Sequence, residues 1–208
     1  MSPSLKKRIF VMGGILMIQF NYSIATRVMQ GGVIPKLPID VFPLQPLWAV
    51  PYALWYPIII AGGIWLILKS NERLFREFSA GFLLTCVLGV LTFYFFPTYI
   101  IDSPLRGTDI FTQLLLLLRA MDGDYAAFPS AHVYVTAILA FSFNRWYPKY
   151  SWLWLFIYVM ISLSTLFTHQ HYILDVVGGT IYAWVGYRFG LWRMKRIQTN
   201  NTSKPEVA

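Results

Sequence analysis

Residues 128–146 read FPSAHVYVTAILAFSFNRW, and from Pro129 to Trp146 they contain no acidic residue and only two basic ones, His132 and Arg145. A run this apolar approaches the ~20 residues a helix needs to cross the hydrocarbon core of a bilayer. Pro129 suits a first helical position, where its missing N–H leaves no bond unmade. Reading outward, five more runs of the same kind appear: Ile9–Ala25, Leu47–Leu68, Phe78–Phe96, Ser151–Thr168 and Ile173–Trp192. The expected fold is all-α, a polytopic six-transmembrane-helix bundle over residues 1–197 with a polar cytoplasmic tail, 198–208. Composition agrees: 57% of the 208 residues are hydrophobic and 12% charged, against roughly 25% charged in soluble proteins. That excludes a soluble enzyme and a disordered chain. The single cysteine, Cys86, allows no internal disulfide.

The formal charge of +8 reads as orientation rather than nucleic-acid binding. With the N-terminus in the cytoplasm, thirteen Lys and Arg fall inside (Lys6, Lys7, Arg8, Lys69, Arg73, Arg76, Arg145, Lys149, Arg188, Arg193, Lys195, Arg196, Lys204) and four outside (Arg27, Lys36, Arg106, Arg119), a positive-inside pattern with both termini cytoplasmic. Ser23-Ile24-Ala25 would suit a signal peptidase, but the first run reads as an uncleaved anchor. Of the outer loops, 26–46 is stiffened by Pro35, Pro38, Pro43 and Pro46. The loop 97–128 carries Phe111–Met121, too short to span and read as an interfacial or re-entrant helix. The third is the turn 168–172.

All three histidines, with Asp175, fall at the outer ends of spans four to six. Ionisable groups at such depth are expensive and usually functional. In Pro129-Ser130-Ala131-His132, the N–H groups of Ala131 and His132 would point outward from a helix start, an arrangement that suits phosphate. Ser130 adds a hydroxyl and His132 a proton carrier near neutral pH. A Ser-capped helix start with a solvent-facing histidine explains the same residues. His171 and Asp175, four apart, would share a helical face, so the carboxylate would hold one imidazole nitrogen and free the other as nucleophile or base. A salt-bridged helix start is the plainer reading. Zinc on His169, His171 and Asp175 is disfavoured because residues two apart on a helix do not face each other.

Together these motifs resemble the type 2 phosphatidic acid phosphatase (PAP2) superfamily, which includes lipid phosphate phosphatases. Pro129-Ser130-Ala131-His132 is similar to its Pro-Ser-Gly-His motif. Ser164-Thr165, five residues, His171, three residues, Asp175 is similar to its Ser-Arg, five residues, His, three residues, Asp motif. Ala131 replaces the motif Gly and Thr165 the motif Arg. The motif of Lys, six residues, Arg-Pro is incomplete: Arg106 stands for its Arg, but Tyr99 occupies the Lys position and Gly107 the Pro. This thinning of cations resembles the inositol-phosphorylceramide and sphingomyelin synthase branch, as do Phe96-Pro97-Thr98, Asp124 and His171-Tyr172 through Asp175-Val176. The resemblance implies a metal-independent lipid phosphate phosphatase or phosphotransferase without cofactor. Its substrate is a lipid phosphate, lipid pyrophosphate or phospholipid, taken at the non-cytoplasmic face. It further implies His171 as nucleophile, Asp175 as its orienting group and His132 as acid and base. Ser130, Ala131 and Arg106 hold phosphate, and Arg119 is the second choice for the anion. Head-group transfer between lipids is the alternative enzyme, and a degenerate lipid-binding or scaffold protein the non-enzymatic one.

Asp122 and Asp124 read as solvated loop charges ahead of a polyol-binding role. Gly186 and Gly190, four apart, suit close helix packing or a homodimer. Gly13-Gly14 and Gly62-Gly63 read as packing positions.

Overall fold

A computed structural model describes residues 3–202. Among them are seven α-helices: α1 Pro3–Val28, α2 Ala49–Leu68, α3 Glu72–Phe95, α4 Ile110–Asp122, α5 Ala131–Trp146, α6 Ser151–Phe167 and α7 Ile173–Thr202. No strand forms among the described residues beyond the isolated bridges Val33 with Thr98 and Tyr99 with Tyr125. Six helices coincide with the six apolar runs, and α4 with the short leucine-rich piece. Four segments, Ser4–Val28, Pro46–Leu68, Glu72–Phe95 and Pro148–Phe167, are long and apolar enough to cross a membrane; this is a multi-pass membrane protein. Large apolar side chains stand outward on them, with Phe10 and Phe95 each 82% exposed, as a surface facing lipid requires. α5 differs. It has 16 residues, twelve of them buried, and an apolar helix covered on nearly all sides is an inner helix.

Helix boundaries depart from the apolar runs where capping, not hydropathy, sets the end. α3 starts at Glu72 rather than Phe78, because Asn71 accepts from Leu74 N at 2.9 Å and Glu72 pairs with Arg76 one turn on. α7 runs through Thr202, past the expected tail start at 198, since no Gly or Pro interrupts it there. The remainder of that tail, 203–208, lies outside the described residues. Pro129 is not the first helical residue: Ser130 takes the cap and α5 begins at Ala131.

The core is built around α5, with Tyr134, Ala137, Ile138 and Leu139 packed among Phe78, Phe82, Cys86 and Phe93 of α3 and Met12 and Ile15 of α1. α7 lies along α3 through glycine: a Cβ on Gly81 would stand 2.6 Å from Gly186 O, and one on Gly190 would overlap Glu77 O. Gly186 and Gly190 thus join two helices of one chain, and the dimer reading loses its motif. Gly13, Gly14 and Gly63 are not packing positions, because a Cβ on any of them meets nothing within 4 Å. Gly62 does pack, against Leu139. A smaller cluster of Ala49, Tyr52, Leu115 and Leu118 fastens α4 to α2.

Candidate active site

The site forms where the starts of α5 and α7 meet. Ser130 is the N-cap of α5; its hydroxyl oxygen accepts from Val133 N at 3.4 Å, and its own N–H donates to Asp175 O at 3.0 Å. The Ser cap is therefore real, and it also stitches α5 to α7. Ala131 and His132 occupy the first turn, where no intrahelical carbonyl reaches their N–H groups. Gly179 lets α7 come this close: a Cβ there would stand 2.8 Å from Ser130 O.

His132 is not solvent-facing; it is 2% exposed. Its ring lies 4.4 Å from that of Trp55 and 4.5 Å from that of Tyr52, centroid to centroid. Tyr52 O–H donates to Asp122 Oδ2 at 2.7 Å, and Tyr56 O–H to Asp122 Oδ1 at 3.1 Å. With its proton on Asp122, Tyr52 oxygen meets His132 Nδ1 at 3.3 Å as an acceptor, which places a proton on Nδ1. His132 Nε2 is left free; it has no hydrogen bond, and Asp122 Oδ2 is 4.0 Å away. Asp122 is buried, contrary to its reading as a solvated loop charge. It ends α4, and the chain turns away through Gly123 at φ +75°, a backbone glycine adopts freely. Asp124 does stay exposed; partial burial holds its carboxyl above the ordinary range.

His171 and Asp175 meet as expected but not on one helical face. His171 precedes α7, and Asp175, the third residue of the helix, reaches back across its start. Oδ2 accepts from Tyr172 N at 2.8 Å and lies 3.3 Å from His171 Nδ1. This is the reach-back half of a capping box, with an imidazole added. Asp175 is fully buried, and its Oδ1 has no partner. The turn before it is fixed by Thr165 O, which accepts from Gln170 N and His171 N.

The two imidazole rings, one on the first turn of α5 and one in the turn before α7, sit 6.1 Å apart. On the His132 side, a cavity of about 580 Å³ opens between α1, α2 and α4, lined by Leu16, Phe20, Tyr22, Trp55 and Met121, with Asp122 and Arg27 beside the histidine. On the His171 side a cavity of about 120 Å³ is lined by Lys36, Asp40, Ser103 and Tyr172. Between the histidines' surroundings a gap of about 10 Å³ takes in Tyr52, Asp122, Gln170 and His171. Gln170 is 3% exposed, with Nε2 unpaired. Sequence reasoning passed over Tyr52, Trp55, Gln170, Arg27 and Lys36. Nothing in their spacing marks them; only Asp122, just before a helix-ending glycine, left a trace.

His169 lies apart in its bonding. Its Nε2 donates to Phe42 O at 2.8 Å, so Nδ1 accepts from Ser103 Oγ at 2.6 Å; both nitrogens are occupied. Arg119, buried, donates to Ser103 O at 2.8 Å and Thr168 O at 3.0 Å, tying α4 to the end of α6 as a strut rather than an interfacial anchor. Arg106 is exposed and lines none of the three cavities. The cations that do line them are Arg27 and Lys36.

Comparison with known proteins bears on this arrangement. Phosphoinositol dihydroceramide synthase of Bacteroides thetaiotaomicron is 24% identical over 204 residues, covering 81% of this chain. The chain spans 65% of that relative's length. The sequence profile of the PAP2 superfamily matches residues 40–189, a stretch that holds both histidines, Asp175 and Asp122. The chain belongs to the PAP2 superfamily.

Proposed function

We propose that this protein is a lipid head-group phosphotransferase working through a phosphohistidine. The observation that supports it is the pair of buried imidazoles 6.1 Å apart, each with its own carboxylate, set between a large apolar cavity and a small polar one. Asp175 keeps the His171 proton on Nδ1, so Nε2 carries the lone pair that attacks phosphorus. The phosphorus–oxygen bond to the leaving lipid alcohol breaks, and His132 Nε2, protonated for this half-reaction, gives its proton to that oxygen. A second alcohol then loses its proton to His132 and attacks the phosphohistidine; the phosphorus–nitrogen bond breaks and His171 is restored. Leaving and entering lipid alcohols share the apolar cavity beside His132, and the polar group attached to phosphorus sits beside Lys36 and Tyr172. Ser130, the first-turn N–H groups of Ala131 and His132, and Gln170 Nε2 serve the phosphoryl oxygens, while Arg106 meets the substrate only at the loop surface. Few cations suit a phosphodiester, with about one negative charge, better than a monoester with nearly two. The relative's name, phosphoinositol dihydroceramide synthase, favours the same choice over phosphatase action.

The proposed topology has six membrane-crossing helices, α4 at the non-cytoplasmic surface beside the site, and both termini cytoplasmic. The test is purified protein incubated with lipid phosphates, lipid pyrophosphates and phospholipids, with and without alcohol acceptors, in chelator. Transfer of a phospho-head group to the alcohol is expected. Release of inorganic phosphate as the main product would assign a phosphatase, and no turnover with any donor a lipid-binding protein. His171→Ala and His132→Ala should each lower turnover at least 10³-fold, since nucleophile and acid act as a unit. Trapped phosphohistidine should be absent from the former at any incubation time and form only slowly in the latter.

A further inference from the structure

A fourth cavity lies at the other end of the bundle, unused by the chemistry above. It measures about 510 Å³ and runs between α1 and α3, closed on one side by α7. Its floor is apolar, with Val11, Ile15, Phe75 and Leu83; its rim carries Lys7, Arg8, Arg76 and Arg193 against the single carboxylate Glu72. Glu72 is already engaged with both Arg8 and Arg76. Arg8 also donates to Ser70 O at 2.7 Å, and its Nε is buried without a partner. Lys7 and Arg193 are exposed with no ion pair among the described residues. Twenty residues of α1 separate Lys7 from Arg27 at the first cavity, about 30 Å at 1.5 Å per residue, which is the thickness of a bilayer's hydrocarbon core.

We infer that this groove is a binding site for an anionic phospholipid of the leaflet opposite the active site. An apolar trough under excess positive charge matches one molecule that presents acyl chain and phosphate together. A free phosphate would leave the trough unfilled, and an uncharged lipid would leave the rim unpaired. A lipid seated there bridges α1 to α3 and α7, and so fastens the one helix that also walls the substrate cavity.

Native mass spectrometry of the purified full chain in non-ionic micelles, titrated with phosphatidylglycerol or phosphatidylcholine, tests the inference. The wild type should retain phosphatidylglycerol about 25-fold better than phosphatidylcholine, and the double variant Lys7→Gln/Arg193→Gln should lose most of that preference, at roughly fivefold for each of the two charges removed. The control Lys69→Gln/Arg73→Gln removes the same charge from exposed positions outside the groove and should retain the lipid. Gly14→Leu keeps every charge but fills the trough. A Cβ at Gly14 meets nothing within 4 Å, so the helix accepts it, and retention should fall. Equal loss in the two double variants would show attraction to net charge instead of a site and overturn the inference. So would equal retention of the two lipids by the wild type, or full retention by Gly14→Leu.

Discussion

The contact between α3 and α7 and the space between α1 and α2 solve opposite problems with the same helices. Along α3 and α7 the backbones touch: Gly81, Gly186 and Gly190 leave no room for a Cβ. Without a hydrophobic force between helices in lipid, such close approach is what van der Waals packing can use. Between α1 and α2 the side chains are large and the helices stand off around a cavity of about 580 Å³. The closed contact holds α7, the helix that carries Asp175, against α3, on which α5 and its His132 also pack. In the function proposed above the open space admits the lipid, so rigidity of the histidine pair and entry of the substrate fall to different helix pairs.

The largest expected effect comes from breaking the closed contact. Gly186→Leu would drive its side chain into Thr85 Oγ1 and Gly81 O, and backbone cannot yield as a side-chain tip does. We expect destabilisation of about 3 kcal/mol or more, a fall in Tm of roughly 10 °C for a chain this size, read by thermal unfolding in micelles, with activity lost alongside. A Tm within 2 °C of wild type would show that α7 can stand off from α3.

Next come the two carboxylates, one on each side of the histidine pair. Asp175→Asn keeps shape but removes the charge that orients His171, so kcat should fall about 10³-fold or more, the scale seen when a buried carboxylate orienting a catalytic histidine is neutralised. Asp122 acts on His132 through Tyr52, and at 4.0 Å from Nε2 it is a positioning residue. Asp122→Asn should cost up to about 10²-fold in kcat, because a His132 freed from its Tyr52 tether loses its alignment with the reacting oxygen. An unchanged kcat would reduce Asp122 to a tether for α4.

How much of this was legible in the sequence follows from range. The helices and the two motifs were readable because hydropathy runs and the spacing of His171 and Asp175 are local. The meeting of His132 with His171, 39 positions apart, was reachable only through resemblance. Tyr52 and Gln170 escaped notice, and Asp122 read as a solvated charge, because what defines them is burial beside a partner on another element: Asp122 accepts from tyrosines 66 and 70 positions away. The same limit bears on charge. The family motif points to Arg106 as the anion cation, with Arg119 as second choice, yet Arg119 holds the end of α6, and the cations lining the cavities, Arg27 and Lys36, stand outside every motif.

A smaller effect tests the open space itself. Leu16 lines the apolar cavity and is 51% exposed, so Leu16→Trp can enter the cavity without disturbing the core. KM for a long-chain lipid alcohol should rise about tenfold, the worth of roughly 1.4 kcal/mol of lost binding, with kcat unchanged. A fall in kcat at constant KM would place the lipid elsewhere.

The smallest effect is the most diagnostic of the contrast, because it uses one substitution at two glycines. Gly→Ala inside an exposed helix stabilises by roughly 0.5–1 kcal/mol through backbone entropy and propensity. At Gly63, on α2, the added methyl meets nothing within 4 Å, so Gly63→Ala should gain that amount, raise Tm by about 2–3 °C and leave turnover untouched. At Gly81 the same methyl would stand 2.6 Å from Gly186 O, and the steric cost outweighs the entropy gain, so Tm should fall. The sign of the change depends only on whether another backbone occupies the place where the methyl must go. Two stabilising changes would mean that the α3–α7 contact is looser than the glycines imply; two destabilising ones would mean that α2 has a neighbour along its Gly63 face.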